Sequence, residues 1–401
     1  MPHDAFAPAR LAGLALRNRI IKTATYEGMS PGGVPSDLLV GHHRDLARGG
    51  VGMTTVAYCA VSPDGRTFAG QLYVHEAARA PLRRLTDAVH AEGAAVSLQL
   101  GHCGNFSKNK ELGVRRPLGP SFALNEYGLM AGMPFADGMS EAQIAASVDD
   151  FGRAAAFARE TGFDAVELHL GHGYLLSQFL SPAVNRRTDR YGGSLENRLR
   201  FPLEVIRRVR ERVGAAYPVL AKTNLRDGFR GGLEVAEAVE IAKALEREGV
   251  DCLVLSGGFT SRNGFYMMRG EAPIPQMIEV EKSRLQRVTL RLFGRKVIRQ
   301  YPFEEMFFRK DAQRVREAVR MPVALLGGIV SRANVDAAMR DGFDFAVMGR
   351  ALIFDPGFVR RMQREPGARS GCDHCNQCVA EMDRGGVRCV RPDAPGHALP
   401  G

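Results

Sequence analysis

Apolar and polar positions along this chain predict strands and helices in regular succession. Eight short apolar runs have the length of buried strands, and several end in glycine or polar residues. They span residues 20–25, 50–58, 94–100, 164–169, 218–223, 251–256, 322–326 and 343–348. Apolar spacings of three or four, typical of helices, occur at residues 87–92, 141–161, 198–213, 234–248 and 331–340. Strands alternating with helices predict a parallel sheet, and eight repeats predict an α/β fold closed into a (β/α)8 TIM barrel.

Three segments depart from this succession. Residues 10–19 alternate around Gly13 and predict an N-terminal hairpin that caps the bottom of the barrel. Residues 105–138 and 264–310 are long connections after the third and sixth strands, where loops usually shape access to a site. Within the second connection, residues 284–299 predict an amphipathic helix, and we favour a solvated basic face over a ligand site.

Composition and charge narrow the function classes. The 401 residues are 45% hydrophobic and 24% charged, which is typical of a globular protein with a large core. The formal net charge is +10, but the basic residues are dispersed, so a cofactor phosphate or an acidic partner explains the charge better than nucleic acid. Residues 1–19 lack the apolar segment of a signal peptide, and no apolar run is long enough to cross a bilayer. We therefore expect a cytoplasmic protein without nucleic-acid or membrane partners.

The segment 162–200 carries the main candidate chemistry. An apolar run at 165–168 predicts a strand that delivers His169 to its carboxyl end, and His172 and Tyr174 follow within five residues. Active sites of parallel barrels lie at that end of the strands. These three side chains are therefore a candidate site, and a polar loop with solvated histidines is the alternative.

This segment also carries a family resemblance. The sequence HLGHGYLLSQFLSPAVNRRTDRYGGSLENRLRF is similar to the central signature of the old yellow enzyme family of FMN-dependent oxidoreductases. The resemblance runs from Phe6 to Arg391. It implies an FMN-binding barrel at residues 1–365, a cysteine-rich tail at 366–401, and a homo-oligomer.

The resemblance implies a set of FMN-binding residues at the strand ends. These are Ala24, Thr25, Tyr58, Gln99, Lys222, Gly327, Gly328, Gly349 and Arg350. The last four follow strands seven and eight, where barrels bind phosphate with backbone amides, although two tight turns and a solvated arginine are the alternative. Lys222 stands where most members carry arginine, which keeps the charge but loses the bidentate fork. Tyr26 stands where relatives carry threonine or cysteine.

The implied reaction is NAD(P)H-dependent reduction of an activated C=C bond in a small enone-type substrate, with hydride transfer through flavin N5. His169 and His172 would bind the carbonyl oxygen and make the β-carbon electrophilic. Tyr174 would protonate the α-carbon, because a phenol holds its proton at neutral pH and can donate it within hydrogen-bond reach.

The end of the chain suggests a metal centre. Cys372, Cys375, Cys378 and Cys389 have the spacing C-x2-C-x2-C-x10-C, which in a cytosolic chain indicates a metal site in preference to disulfides. The run CDHCNQC resembles the cluster-binding segments of trimethylamine dehydrogenase and, more loosely, 2,4-dienoyl-CoA reductase. We favour a [4Fe-4S] cluster, with zinc and free thiols as alternatives.

The sequence also allows two other functions. An amine or demethylating dehydrogenase would pass electrons through the cluster to a separate electron-transfer protein. A protein of a different class would be a basic, zinc-tailed binding module with an inert barrel.

Overall fold

The eight predicted barrel strands form a closed parallel barrel. The computed structural model describes residues 4–395. The start of the predicted barrel unit, residues 1–3, and the end of the predicted cysteine-rich tail, residues 396–401, lie outside that range. In chain order its strands are β1 Ala9–Leu11, β2 Leu14–Leu16, β3 Ile20–Lys22, β4 Met53–Ala60, β5 Ala95–Gly101, β6 Leu118–Gly119, β7 Ala123–Leu124, β8 Phe135–Gly138, β9 Ala165–Leu170, β10 Val219–Asn224, β11 Cys252–Ser256, β12 Val323–Leu326 and β13 Phe345–Met348. The barrel order is β3-β4-β5-β9-β10-β11-β12-β13, and β13 pairs with β3 to close it. The prediction of a TIM barrel is confirmed.

Helices surround the barrel and extend from its loops. They are α1 Asp37–Arg48, α2 Glu76–Ala91, α3 Glu141–Glu160, α4 Leu175–Leu180, α5 Leu195–Val213, α6 Val235–Arg247, α7 Thr260–Asn263, α8 Ile274–Val280, α9 Arg284–Val297, α10 Arg309–Arg316, α11 Arg332–Arg340, α12 Arg350–Phe354, α13 Phe358–Arg364 and α14 Gln377–Glu381. Ser140 starts α3 with a capping box to Gln143, and the Ser331 hydroxyl accepts from the Asn334 amide at the start of α11. The helix predicted at 87–92 is the last part of α2, which begins at Glu76.

Alternation along the strands decides which side chains enter the barrel. In β9, Val166 and Leu168 pack outward in the large core between strands and helices, whereas Ala165 faces the barrel interior. Because side chains of a strand alternate between its two faces, Glu167 and His169 also face the barrel interior, closer to the carboxyl end than Ala165. In β10, Leu220 is interior and Lys222 lies one step above it. The lower interior is therefore apolar and the upper interior, at the carboxyl ends, is polar.

The hairpin of β1 and β2 closes the amino-terminal end of the barrel, as predicted. The two strands pair antiparallel, and Leu11 and Leu16 pack in one cluster with interior residues such as Phe345. Because this cluster is buried, it seals the barrel below the polar layer.

The two long connections are partly ordered. The first contains a small sheet in the order β6-β8-β7, built from strands of two to four residues. The second contains α8 and α9. The predicted amphipathic helix is confirmed as α9, but its exposed surface is not only basic, because Leu285, Leu292 and Val297 are 63%, 66% and 73% exposed.

The segment after residue 365 lies against the barrel. The Val387 amide donates to the Glu27 carbonyl at 2.7 Å, and a Cβ on Gly28 would lie 2.2 Å from the Met382 carbonyl oxygen. The cysteine-rich segment therefore packs on the loop that follows β3. Within residues 4–395, no helix combines the length and apolar character needed to cross a membrane.

Candidate functional site

One cavity at the carboxyl ends of the strands contains every residue predicted to bind FMN or act in catalysis. It is open to solvent at its mouth. Its lining includes the catalytic candidates His169, His172 and Tyr174 and the cofactor candidates Ala24, Thr25, Tyr58, Gln99, Lys222, Gly327, Gly328, Gly349 and Arg350. A concave site that gathers these polar groups is a candidate binding site for a cofactor and a substrate.

A buried polar network forms the floor of the cavity. Gln99 Nε2 donates to Glu167 Oε1 at 2.7 Å, and Lys222 Nζ lies 2.9 Å from the same oxygen and 3.1 Å from Thr23 Oγ1. Burial lowers the pKa of Lys222, and the Glu167 carboxylate opposes that shift. Two of the three ammonium N–H bonds have partners among residues 4–395, which leaves one for a ligand.

The histidines form the wall above this floor. The His169 ring stacks on Tyr174 with centroids 4.2 Å apart and meets His172 edge-on at 5.0 Å. His172 Nε2 lies 2.7 Å from Ser256 Oγ, and its backbone amide donates to Asn224 Oδ1 at 2.9 Å. His169 Nδ1 is buried and has no hydrogen-bond partner within the described residues. A buried polar atom without a partner in a cavity wall fits a site that is completed by a ligand.

Burial sets the protonation of these groups. It holds the pKa of His169 well below its ordinary value, with smaller contributions from His172 and Lys222. Burial and Lys222 lower the pKa of His172 to about 3. Burial raises the pKa of Tyr174 above its ordinary value. At neutral pH both imidazoles are therefore neutral, and the phenol keeps its proton.

Glycine turns form the far end of the cavity. Gly327 and Gly328 follow β12 with φ of 104° and 73°, conformations that other residues rarely adopt. A Cβ on Gly328 would lie 2.6 Å from the Glu304 carbonyl oxygen. Gly349 follows β13 directly before α12. The two predicted turns therefore exist, and they face the same cavity.

Arg350 is partly buried, and its side chain points toward the cysteine-rich segment. Its guanidinium donates to the Arg269 carbonyl at 2.7 Å, to Asn376 Oδ1 at 2.6 Å and to the Met268 carbonyl. The solvated arginine considered as an alternative is wrong, because these acceptors fix the side chain at the cavity wall. Burial lowers the pKa of Arg350, while the nearby cysteine thiols oppose that shift.

The four tail cysteines are free thiols and partly exposed. Cys378 lines the cavity beside Val379 and Met382, on and after helix α14. No three of the four cysteine sulfurs lie within 4.8 Å of one another. A tetrahedral zinc ion with Zn–S bonds of about 2.3 Å requires sulfurs roughly 3.8 Å apart. The four sulfurs are therefore not arranged as a closed zinc site in this structure.

A second set of metal-binding residue types lies outside the barrel interior, between β3, β4 and α1. Within residues 4–395, Glu27, His42 and His43 are the set whose ligand atoms approach within 4.8 Å of one another. Lys22 Nζ already lies 2.8 Å from Glu27 Oε1, and Glu27 Oε2 accepts from the Ala57 amide at 3.1 Å. This group is therefore better described as a buried ion pair that supports β4.

Sequence reasoning missed several residues of the site. Glu167 anchors Lys222 and Gln99, and its signal was its position two residues before His169 on the same strand face. Ser256 and Asn224 orient His172, and each is the last residue of a predicted strand or follows one. The contribution of Val379 and Met382 had no signal in the sequence.

The chain is similar to known proteins along nearly all of its length. A family model described as the NADH:flavin oxidoreductase / NADH oxidase family matches residues 4–258. A 4,4'-dithiodibutanoate disulfide reductase of Rhodococcus erythropolis is 45% identical, over 97% of this chain and 95% of that protein. A metal reductase of Desulforamulus reducens is 33% identical over 94% of this chain, which spans about half (52%) of that protein. Among solved structures, morphinone reductase covers 100% of this chain and 99% of its own at a TM-score of 0.73 and 24% identity, a likeness of fold.

Proposed function

Because this chain belongs to the NADH:flavin oxidoreductase / NADH oxidase family and is therefore an NAD(P)H-dependent flavoprotein oxidoreductase, we propose that it reduces an activated C=C bond. One observation carries the proposal. The cavity that holds the glycine turns and the buried Lys222 also holds two neutral histidines and a protonated phenol. Those groups suit an enone-type substrate.

The residues of the cavity fit FMN. The turns at Gly327–Gly328 and Gly349–Arg350 would present backbone amides to the phosphate. The remaining N–H of Lys222 and the amide of Gln99 would bind the polar edge of the flavin ring. FMN supplies the hydride acceptor and donor when it is bound. A positive charge beside the ring favours the anionic, reduced cofactor.

His169 and His172 would bind the substrate oxygen. A neutral imidazole donates one N–H without losing a proton to the substrate, so it polarises a carbonyl and leaves the acid role to another group. Ser256 and the Asn224 amide oxygen fix the position of His172. Tyr174, which stacks on His169, would give its proton to the α-carbon.

The test separates the two half-reactions by stopped-flow spectroscopy. Tyr174→Phe should slow oxidation of the reduced enzyme by 2-cyclohexenone by about 10²–10⁴-fold, the usual contribution of a general acid. Reduction by NAD(P)H should stay within about twofold, since it needs no proton from this phenol. Tyr217→Phe is the control, because its hydroxyl donates to the Phe163 carbonyl far from the cavity. Equal losses in both half-reactions of Tyr174→Phe would remove Tyr174 from the acid role.

An organic disulfide is a second candidate substrate, favoured by the 45% identity to a disulfide reductase. In that reaction NAD(P)H and a proton convert one disulfide into two thiols. The thiolate products take protons from water and need no positioned acid. Tyr174→Phe should therefore leave disulfide reduction nearly intact while it impairs C=C reduction.

We also propose that the cysteine-rich segment binds a [4Fe-4S] cluster, with zinc as the alternative. The support is the donor set of four thiols, three of which, Cys372, Cys375 and Cys378, interact electrostatically with the partly buried guanidinium of Arg350. The cluster would exchange electrons with a separate electron-transfer protein. The amine-dehydrogenase alternative is not favoured by the relatives, and a cytoplasmic location and a homo-oligomer remain predictions.

A further inference from the structure

One imidazole in the cavity wall, that of His374, makes no hydrogen bond to the rest of the protein within residues 4–395. His374 lies between Cys372 and Cys375 in sequence, and it lines the cavity that also contains the two glycine turns. Its Nε2 atom is buried and without a partner among these residues. Because buried polar atoms in proteins are nearly always hydrogen-bonded, this imidazole is available to a ligand of the cavity.

The imidazole lies on the side of the cavity that carries the first glycine turn. Its ring stacks on the Phe303 ring with centroids 3.4 Å apart, and the Phe303 centroid lies 6.5 Å from that of Phe307. The Phe307 ring packs against the turn after β12, because Cβ atoms on Gly327 and Gly328 would lie 2.9 and 3.0 Å from it. Two aromatic rings therefore connect His374 to this turn.

The second turn is connected to the same segment. The Arg350 guanidinium, which follows that turn, lies 5.9 Å from the Phe303 ring centroid and donates to Asn376 Oδ1 at 2.6 Å. The Asn376 side-chain amide donates in turn to the Glu271 carbonyl at 2.8 Å. Phe303 thus has both His374 and Arg350 beside it, and the cysteine-rich segment lies next to both turns.

The backbone holds His374 in an unusual conformation. Its φ is 63°, in the left-handed region that residues other than glycine and asparagine rarely adopt. Its carbonyl oxygen accepts from the Glu271 amide at 3.1 Å, and a Cβ on Gly270 would lie 2.3 Å from that oxygen. These contacts fix the backbone and thereby the position of the imidazole. Residues held in such conformations occur preferentially at binding sites and active sites.

We propose that His374 binds the phosphate of FMN together with the two glycine turns, so that the cysteine-rich segment completes the cofactor site. An imidazole N–H donates to a phosphate oxygen, and a hydrogen bond to an anion is stronger than one between neutral groups. The inference rests on the proposed function, in which FMN fills this cavity. It gives the segment a role in cofactor binding that is the same whichever metal the cysteines hold.

The experiment compares FMN with riboflavin, which has the same ring but no phosphate. The full-length protein, freed of flavin, is titrated with each compound, and binding is followed by the change in flavin fluorescence. His374→Ala should weaken FMN binding by about tenfold or more and change riboflavin binding by no more than about twofold. His75→Ala is the matched control and should change neither, because His75 also stacks on an aromatic ring, Tyr73 at 4.1 Å, but does not line the cavity.

Iron and zinc are measured in every sample, and proteins of equal metal content are compared, because two cysteines flank His374. FMN affinity of His374→Ala within about twofold of the wild-type value would overturn the proposal. Equal losses of FMN and riboflavin affinity would also overturn it, since they would show that the imidazole does not act on the phosphate. A wild-type protein that binds neither flavin would instead contradict the proposed function.

Discussion

Glu27→Gln removes the negative charge from the buried pair of Lys22 and Glu27 and keeps the size of the side chain. The pair lies outside the barrel interior, between β3, β4 and α1, and both side chains are at most 2% exposed. The Lys22 ammonium also donates to the Thr55 carbonyl at 3.3 Å, and Glu27 accepts from the Ala57 amide. The variant leaves a buried cation with neutral partners only.

The magnitude follows from the geometry. Unit charges 2.8 Å apart attract by about 6 kcal/mol at an effective dielectric constant of about 20. In the variant, the glutamine side-chain oxygen recovers part of this attraction by accepting one hydrogen bond from the Lys22 ammonium. Removal of one partner of a buried pair costs about 3–5 kcal/mol, a large share of a typical stability of about 5–15 kcal/mol. We therefore expect the free energy of unfolding at pH 7 to fall by about 3–5 kcal/mol.

Urea unfolding followed by circular dichroism, with FMN in equal excess in every sample, measures this change. The control is Lys22→Met/Glu27→Gln, which removes both charges and should recover most of the loss. A loss below about 1 kcal/mol in Glu27→Gln, or a double variant less stable than the single one, would refute the reasoning.

The pH dependence of the same variants has a defined sign. Burial alone would raise the pKa of Glu27, but Lys22 and His43 together bring it below its ordinary value. When the pH falls below that ordinary value, the unfolded chain takes up a proton before the folded chain does, so the wild type loses the stability that this group provides. The glutamine side chain of the Glu27→Gln variant does not titrate, and the difference in stability between the two proteins should narrow toward acid pH.

The remaining predictions concern the site. Arg350→Ala should weaken FMN retention by about 1–3 kcal/mol, measured by fluorescence of released flavin, and unchanged retention would show that the Arg350 side chain is not at the phosphate. Phenol affinity should stay constant between pH 5 and 8, because both His169 and His172 are already neutral there; a change that follows a histidine titration would contradict this. Anaerobically purified protein should contain about four iron and four sulfide per chain, and stoichiometric zinc without iron would exclude the cluster.

The sequence predicted the barrel because eight apolar runs have the length of strands and stretches with helical spacing lie between them. It also predicted the residues at strand ends, since the topology of a parallel barrel brings those ends together. Glu167 was missed because residues 165–168 were interpreted as an apolar strand. The alternation of side chains along a strand places Glu167 in the barrel interior together with His169. Short strands such as β6 and β7 have too few residues for a pattern. The position of Met382 in the cavity depends on tertiary packing between distant segments, which local pattern does not contain.

Closure of the barrel by β3 and β13 has a consequence for synthesis on the ribosome. The first barrel strand to be synthesised, β3, pairs with the last one, β13. The paired residues are Ile20 with Ala346, Ile21 with Val347 and Lys22 with Met348. At roughly 5–20 residues per second, translation leaves one edge of β3 unpaired for some tens of seconds. An unpaired strand edge is a template for association with other chains. Slower translation or higher expression temperature should therefore favour aggregation of nascent chains, and a chaperone that shields this edge should raise the yield of soluble protein.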